Sequence, residues 1–310
     1  MENVSKRYDV AVIGGGPAGY TAALYSSRAG RSTVLFEKGS PGGQMGITSV
    51  IENYPGFESV DGFTLAVNMQ NQAKNAGAVI LNETVISVSL TEKTKTVVSS
   101  GGEYEADAVI IATGAKPRLL GVTGEKEYTG HGVSYCATCD GMFFRKKQVA
   151  VCGGGETALE DALYLSNICE KVTVIHRREG FRATRHTVEK CKGKENIEFV
   201  LNATVSEITG DGGRVSGVKI TYTDGKSGTL PCSAVFVAIG RVPETELFTG
   251  QITADESGYI IAGEDCMTNI GGVFAAGDVR TKSLRQIVTA ASDGAMAAKS
   301  AEEWINEIKQ

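Results

Sequence analysis

The 310-residue chain holds only 6 prolines and a single tryptophan, and it has no long apolar run. The last absence excludes a membrane-spanning helix, which needs roughly 18 or more consecutive apolar residues. The excess of one sign of charge is small as well: 31 Lys and Arg stand against 36 Asp and Glu, a formal net charge of −5 with no block of like charges. General affinity for nucleic acid or for an anionic membrane is therefore not expected. The opening residues, MENVSKRYDV, lack an apolar signal region and an Arg-rich transit segment, so a cytoplasmic setting is expected. Cysteine is present without the pattern of a secreted disulfide framework: seven is an odd number, and Cys152, Cys169, Cys191, Cys232 and Cys266 stand alone. These five are expected to be buried, inert thiols.

What remains is an ordinary globular composition, 42% hydrophobic and 22% charged, of a length that suits about two domains. Glycine is abundant, at 39 residues, and much of it falls beside strands. Tyr8–Ile13 is a short β-rich run ending at Gly14-Gly-Gly16-Pro17-Ala18-Gly19. Helical spacing follows from Pro17 to Ala29, then a second strand, Val34-Leu-Phe36, closed by Glu37 and Lys38. This β-turn-α-β order raises a Gly-rich motif to a dinucleotide-binding signature. Gly14 permits the tight turn, Gly16 lets the backbone approach a pyrophosphate at the helix start, and Gly19 permits close helix–sheet packing. Glu37 is placed to accept hydrogen bonds from ribose hydroxyls.

The pattern returns 139 residues later. Val149-Ala-Val-Cys152 leads into Gly153-Gly-Gly155-Glu156-Thr157-Ala158, a helix is expected to about Asn167, and Val172–Ile175 is the second strand. Glu37 lies 23 residues after Gly14, and His176 lies 23 residues after Gly153. Where the first unit offers a carboxylate, the second offers His176-Arg177-Arg178, with Arg182 soon after. A carboxylate repels a ribose 2′-phosphate, and clustered arginines bind one through charge-assisted bonds. The second unit is expected to take NADPH in preference to NADH. A packed core histidine is the competing reading of His176, and a solvated basic face that of the arginines.

A further repeat organises the domains. Ala108–Ala112-Thr113-Gly114 resembles Ala234–Ala238-Ile-Gly240, each the late strand of its own nucleotide unit. Gly272–Gly277-Asp278 is one more buried strand ending at an acidic residue. The second unit has no place for it, so it is expected to return to the first. The predicted architecture is α/β: two nested Rossmann-like units, residues 1–116 with 245–310 around an insert at 117–244. The two crossings, near Gly114–Pro117 and Gly240–Pro243, each pair a glycine with a proline and suit a hinge.

Between the signatures stands Cys136-Ala-Thr-Cys139-Asp140. Two intervening residues bring both sulfurs within bridging distance at a helix start or tight turn. A zinc site would need a second ligand pair, and the sequence has none at suitable spacing, so no metal is expected. Flanking nucleotide signatures favour a redox dithiol over an accidental pair of core cysteines. Asp140 is placed to exchange protons when the disulfide opens, or is a solvated or capping aspartate. Cys139 precedes Gly153 by 14 residues, so the thiols and the second nucleotide ride on the same insert. They are not expected to reach one redox group at once, hence the interest of a hinge.

With these residues in view, the chain resembles the low-molecular-weight, bacterial-type thioredoxin reductases over essentially its whole length. The motifs that carry the resemblance are GGGPAG, Glu37, PGGQ at 41–44, IENYPGF at 51–57, IATGA, CATCDG at 136–141, GGGETA, HRREGFRA at 176–183, GDVR at 277–280 and RQIVTAASDG at 285–294. The resemblance implies the three-layer ββα fold of class II pyridine nucleotide-disulfide oxidoreductases. It further implies a homodimer with one FAD per subunit, NADPH as donor and thioredoxin as acceptor. Cys139 would then face the flavin, Cys136 would attack the partner's disulfide, and Asp140 would be the acid/base. Gly42, Gly43, Gln44 and Asn53 would approach the flavin, with plain loop polarity the alternative for Gln44 and Asn53. Gly277 and Asp278 would meet the ribityl chain, and Arg285, Gln286 and Ile287 the ring. Glu156 departs from the Asn or Asp common in the family. Related flavoproteins with another acceptor, such as a dithiol oxidase, a peroxiredoxin-system reductase or a ferredoxin-linked reductase, are the alternatives among enzymes. A flavin-binding redox sensor without turnover is the alternative outside them.

Overall fold

The computed structural model describes residues 6–48 and 50–310. The first segment opens with β1 (Lys6–Ile13), α1 (Pro17–Arg28) and β2 (Thr33–Phe36), continues through α2 (Gly62–Asn75), β3 (Val79–Leu81), β4 (Val85–Ser89) and β5 (Lys95–Ser99), and ends with β6 (Gly102–Ile111) and β7 (Ala115–Pro117). β1 pairs parallel to β2 and to β6, with Val12 opposite Leu35 and Ile110, and the central residues of all three strands are buried apolar side chains. Near-continuous hydrophobic runs are what a parallel sheet covered on both faces requires.

The insert follows. It comprises β8 (Val133–Ser134), the four-residue helix α3 (Ala137–Asp140), β9 (Gln148–Cys152), α4 (Glu156–Ser166), β10 (Lys171–His176), α5 (Arg185–Lys192), β11 (Ile197–Leu201), β12 (Ala203–Asp211), β13 (Arg214–Tyr222), β14 (Ser227–Pro231) and β15 (Ala234–Val237). Five of its strands form a parallel sheet in the order β11-β10-β9-β15-β8, and β12-β13-β14 form a separate antiparallel sheet. One core joins α4 and α5 to the parallel sheet through Leu159, Leu165 and Cys191; a second joins the same sheet to the antiparallel one through Val205, Val218 and Ile220. Helix, parallel sheet and antiparallel sheet are therefore three layers around two cores.

The chain returns with β16 (Arg241–Pro243), β17 (Val273–Ala275) and the long helix α6 (Ile287–Ile308). β17 adds parallel to β6, Val273 opposite Val109, as expected from its lack of a place in the insert. β6 uses its first half for the antiparallel partner β5 and its second half for β17. Helices α1, α2 and α6 cover one face of this larger sheet through Leu65, Ala297 and Ile305, while Leu90, Val97 and Phe248 pack on the other.

Two compact units result: Met1–Lys116 with Val242–Gln310, and Pro117–Arg241. Each end of each unit is tied to itself: Glu244 N donates to Gly114 O at 3.0 Å in the outer unit, and Arg118 N to Gly240 O at 3.0 Å in the insert. Among the described residues no helix is long and apolar enough to cross a membrane.

Candidate redox and nucleotide-binding site

In the outer unit the β1–α1 turn is shaped by close backbone approach. A Cβ on Gly14 (φ 109°) would stand 2.4 Å from Ala112 O, and one on Gly19 would stand 1.8 Å from Gly14 O. Gly16, the N-cap of α1, has no atom within 4 Å on that side. Pro17 occupies the first helical turn, where a missing N–H costs nothing. The N-cap glycine has no side chain to accept the first-turn amides; α2, by contrast, is capped by Asp61, which accepts from Thr64 N at 2.8 Å. An uncapped helix start behind an open glycine fits a pyrophosphate.

Other segments converge on this turn. Glu37 accepts from Gly15 N at 2.6 Å and from Gly39 N at 2.9 Å, which fixes its carboxylate over the turn. Gly42 N donates to Gly15 O at 2.9 Å, docking the PGGQ loop that carries Gly43 and Gln44. Gly277 packs against Ala18, where an added Cβ would come within 2.9 Å of the alanine methyl. Asn53 donates to the Gln286 side chain at 3.1 Å, bringing the IENYPGF loop to the start of α6. Arg285 lies over the Tyr259 ring at 4.1 Å, close in sequence to Ile287, the first residue of α6. Thr113 Oγ1 donates to Glu244 O at 2.7 Å, and Lys38 pairs with the Glu244 carboxylate at 3.0 Å. The Phe36 carbonyl accepts from Gly14 N at 2.9 Å, and the Phe36 ring is buried edge-on against Tyr104. Sequence reasoning missed Asp293. Its carboxylate accepts from Gly277 N at 2.9 Å and pairs with Arg280 at 3.0 Å and Lys282 at 2.8 Å, anchoring the turn that bears Asp278. No local pattern links these positions; only the approach of α6 does.

The insert repeats the turn. A Cβ on Gly153 would stand 2.4 Å from Ala238 O, the counterpart of Ala112, and Gly155 is again an uncapped N-cap with open space beside it. Ala158 is buried beneath the turn, and Thr157 is exposed. Beyond β10, Arg177, Arg178 and Arg182 are exposed, and Arg182 N holds Gly154 O at 2.8 Å. His176 is packed: its ring stacks on Phe181 at 5.4 Å, lies 3.2 Å from Gly180 O, and crowds the face of Gly154. Burial lowers its pKa, with the three arginines adding to the effect. Its place is under the turn, supporting the arginine loop. The Glu156 carboxylate accepts from Thr184 N at 2.6 Å and from the Thr187 hydroxyl, which holds its pKa low. It joins the starts of α4 and α5.

The thiols stand on the same edge of the same sheet. β8 and β9 both run parallel to β15, so Cys136, just past β8, and Gly153, just past β9, leave at the carboxyl ends of the strands, one strand apart. Ligands of parallel α/β sheets bind at that edge. Cys136 and Cys139 form a disulfide, with S–S 2.03 Å and Cα–Cα 5.3 Å. Cys136 is the N-cap of α3, its Sγ 3.2 Å from Cys139 N. Asp140 ends α3; burial raises its pKa, opposed by a 2.6 Å hydrogen bond from the Ser134 hydroxyl. The other five cysteines are buried thiols, and burial pushes Cys169 and Cys191 up to about 11 and Cys232 and Cys266 up to about 12. Thiols of that kind stay protonated and unreactive. Among the described residues no group of three or more His, Cys, Asp or Glu is placed to hold a metal.

Residues 8–294 match the model of the family described as pyridine nucleotide-disulphide oxidoreductase. The chain is 46% identical over 311 residues to a thioredoxin reductase of Listeria monocytogenes, covering 100% of this chain and 98% of that protein. It is 44% identical to one from Bacillus subtilis, covering 98% and 97%. The crystal structure of thioredoxin reductase from Streptococcus pyogenes superposes with a TM-score of 0.92 at 41% identity, covering 98% of this chain and 99% of that one.

Proposed function

Because the chain belongs to the pyridine nucleotide-disulphide oxidoreductase family, among thioredoxin reductases that match it from end to end, we propose that it reduces the disulfide of a thioredoxin with NADPH, through FAD and the Cys136–Cys139 pair. The observation that carries this reading is the position of that disulfide, one strand from a Gly-rich nucleotide turn with an exposed arginine loop. The outer unit is the FAD domain and the insert the NADPH domain.

FAD, when bound, accepts a hydride and returns two electrons to a disulfide. Residues of the chain do the rest. The amides at Gly16 and Gly155 face the two pyrophosphates, and Glu37 takes the FAD ribose. Arg177, Arg178 and Arg182 bind the 2′-phosphate. The PGGQ loop, Asn53, Asp278, Arg285 and Gln286 frame the flavin. The two electrons open the Cys136–Cys139 bond, and Asp140 supplies a proton to one departing sulfur. Cys136 then attacks the acceptor disulfide, Cys139 displaces the reduced acceptor, and the S–S bond re-forms. The sum is NADPH, one proton and a disulfide giving NADP⁺ and two thiols. Thioredoxin has a potential of about −270 mV, so a low-potential donor is needed, and NADPH meets that need. We take the working particle to be a homodimer in the cytoplasm.

Purified protein should be yellow and should oxidise NADPH rapidly only when oxidised thioredoxin is added. A colourless protein that binds no FAD, or equal NADPH oxidation with and without thioredoxin, would refute the reading.

A further inference from the structure

Ser134 stands two residues before the first redox cysteine, and it is only 5% exposed. Its position is fixed by the sheet, since it pairs with Phe236 of β15. The next residue is tied down separately: Tyr135 OH donates to Glu125 at 3.0 Å, and that buried carboxylate also accepts from Leu120 N and Gly121 N at 2.8 and 2.7 Å. The Ser134 hydroxyl is thus held still at the mouth of the redox turn.

A hydroxyl has one proton to donate and two lone pairs to offer. Cys136 N donates to Ser134 Oγ at 3.1 Å. Two acceptors compete for the hydroxyl proton, Asp140 Oδ2 at 2.6 Å and Cys136 O at 3.3 Å. The shorter, charge-assisted bond to the carboxylate wins. One side chain therefore grips both ends of the redox turn, the backbone at Cys136 and the carboxylate at Asp140. The same hydroxyl can turn round and accept from Asp140 once that group is protonated, so it suits both protonation states.

We infer that Ser134 is a positioning residue for disulfide reduction, coupling the Asp140 carboxyl group to the backbone of the attacking cysteine so that proton transfer and sulfur exchange stay in register. This rests on the reading of Asp140 as acid/base. α4, which packs on α3, carries Glu156, Glu160 and Asp161, and the short turn after Asp140 leads to Arg145, Lys146 and Lys147. Burial raises the Asp140 pKa, and the hydrogen bond from Ser134 opposes that rise. The Ser134 hydroxyl, 2.6 Å from Asp140 Oδ2, is the geometric link on which the inference stands.

The test uses FAD-loaded enzyme and measures kcat/KM for thioredoxin against pH in wild type, Ser134→Ala, Ser134→Thr, Asp140→Asn and the Ser134→Ala/Asp140→Asn double variant. Asp140→Asn should remove one ionisation limb. Ser134→Ala should move that same limb to higher pH by about one unit, because a donor to the charged form is lost. Ser134→Thr, which keeps the hydroxyl, should return it. In the Asp140→Asn background, where the carboxylate charge is gone, Ser134→Ala should leave the profile where Asp140→Asn put it. Amide exchange at Cys136 should quicken in Ser134→Ala and recover in Ser134→Thr. A limb that Asp140→Asn removes and Ser134→Ala leaves in place overturns the role of Ser134 alone. A limb that survives Asp140→Asn overturns the acid/base reading itself, and this inference with it.

Discussion

At the scale of single residues, two carboxylates of the insert are driven in opposite directions. Burial raises the pKa of Asp140, whereas the Thr187 hydroxyl and the Thr184 amide hold Glu156 ionised. A group whose proton is easily kept suits proton transfer, and one locked as an anion suits a fixed joint. Asp140→Asn is accordingly expected to slow thioredoxin reduction by about 10²-fold or more, the usual weight of a positioned acid/base, with FAD binding intact; a change under twofold in stopped-flow turnover would contradict it. The Cys136–Cys139 disulfide is legible in the sequence because its two cysteines stand three positions apart. Ser134 is not, because a serine six residues before an aspartate has no signature until β8 and α3 fix its hydroxyl 2.6 Å from the carboxylate. His176 shows the converse. Its register suggests a nucleotide contact, but its ring is taken up by Phe181 and Gly154.

At the scale of elements, the two Gly-rich turns are readable because close backbone approach leaves only glycine at Gly14, Gly19 and Gly153. The antiparallel sheet β12-β13-β14 carries no such mark. Its register shifts between Val205 and Glu207 and between Thr209 and Gly210, and such bulges break the alternation that marks a half-buried strand. The loop after β10 carries a direct prediction. Arg177→Ala with Arg178→Ala should raise the KM for NADPH by about 100-fold, as for about 3 kcal/mol of lost charge-assisted bonds, and should barely change that for NADH. An equal rise for both nucleotides would remove the phosphate-binding role. Helix α4 carries another. Burial raises Asp161 to about 7, with Glu160 adding to the effect. The folded state then binds more protons than the unfolded chain between pH about 4 and about 7, so stability falls as pH rises through that window. Asp161→Asn should therefore melt at a higher temperature than wild type at pH 8, by an amount worth about 1–3 kcal/mol, and the difference should fade towards pH 4. A constant difference across pH, measured by calorimetry, would contradict this.

At the scale of the whole molecule, the nesting of one compact unit inside another follows from where strands find partners. β17 comes after the chain has left the insert at Arg241, and β6 has a free half-edge for it. The repeated AVIIATG and AVFVAIG stretches announce this, since each supplies the carbonyl that closes over its own Gly-rich turn. Assembly leaves no comparable mark in the sequence, because an interface is a surface property spread over many segments. The proposed homodimer predicts a particle of twice the 32.6 kDa chain mass by sedimentation, and a monomer throughout the micromolar range would contradict it. The central claim is a two-electron relay from NADPH through FAD to the Cys136–Cys139 bond and on to thioredoxin. Its most direct test is rapid mixing of FAD-loaded Cys136→Ser with NADPH, followed by thioredoxin. The account predicts that the flavin bleaches at the wild-type rate while thioredoxin stays oxidised; thioredoxin reduction by this variant at near wild-type rate would contradict it.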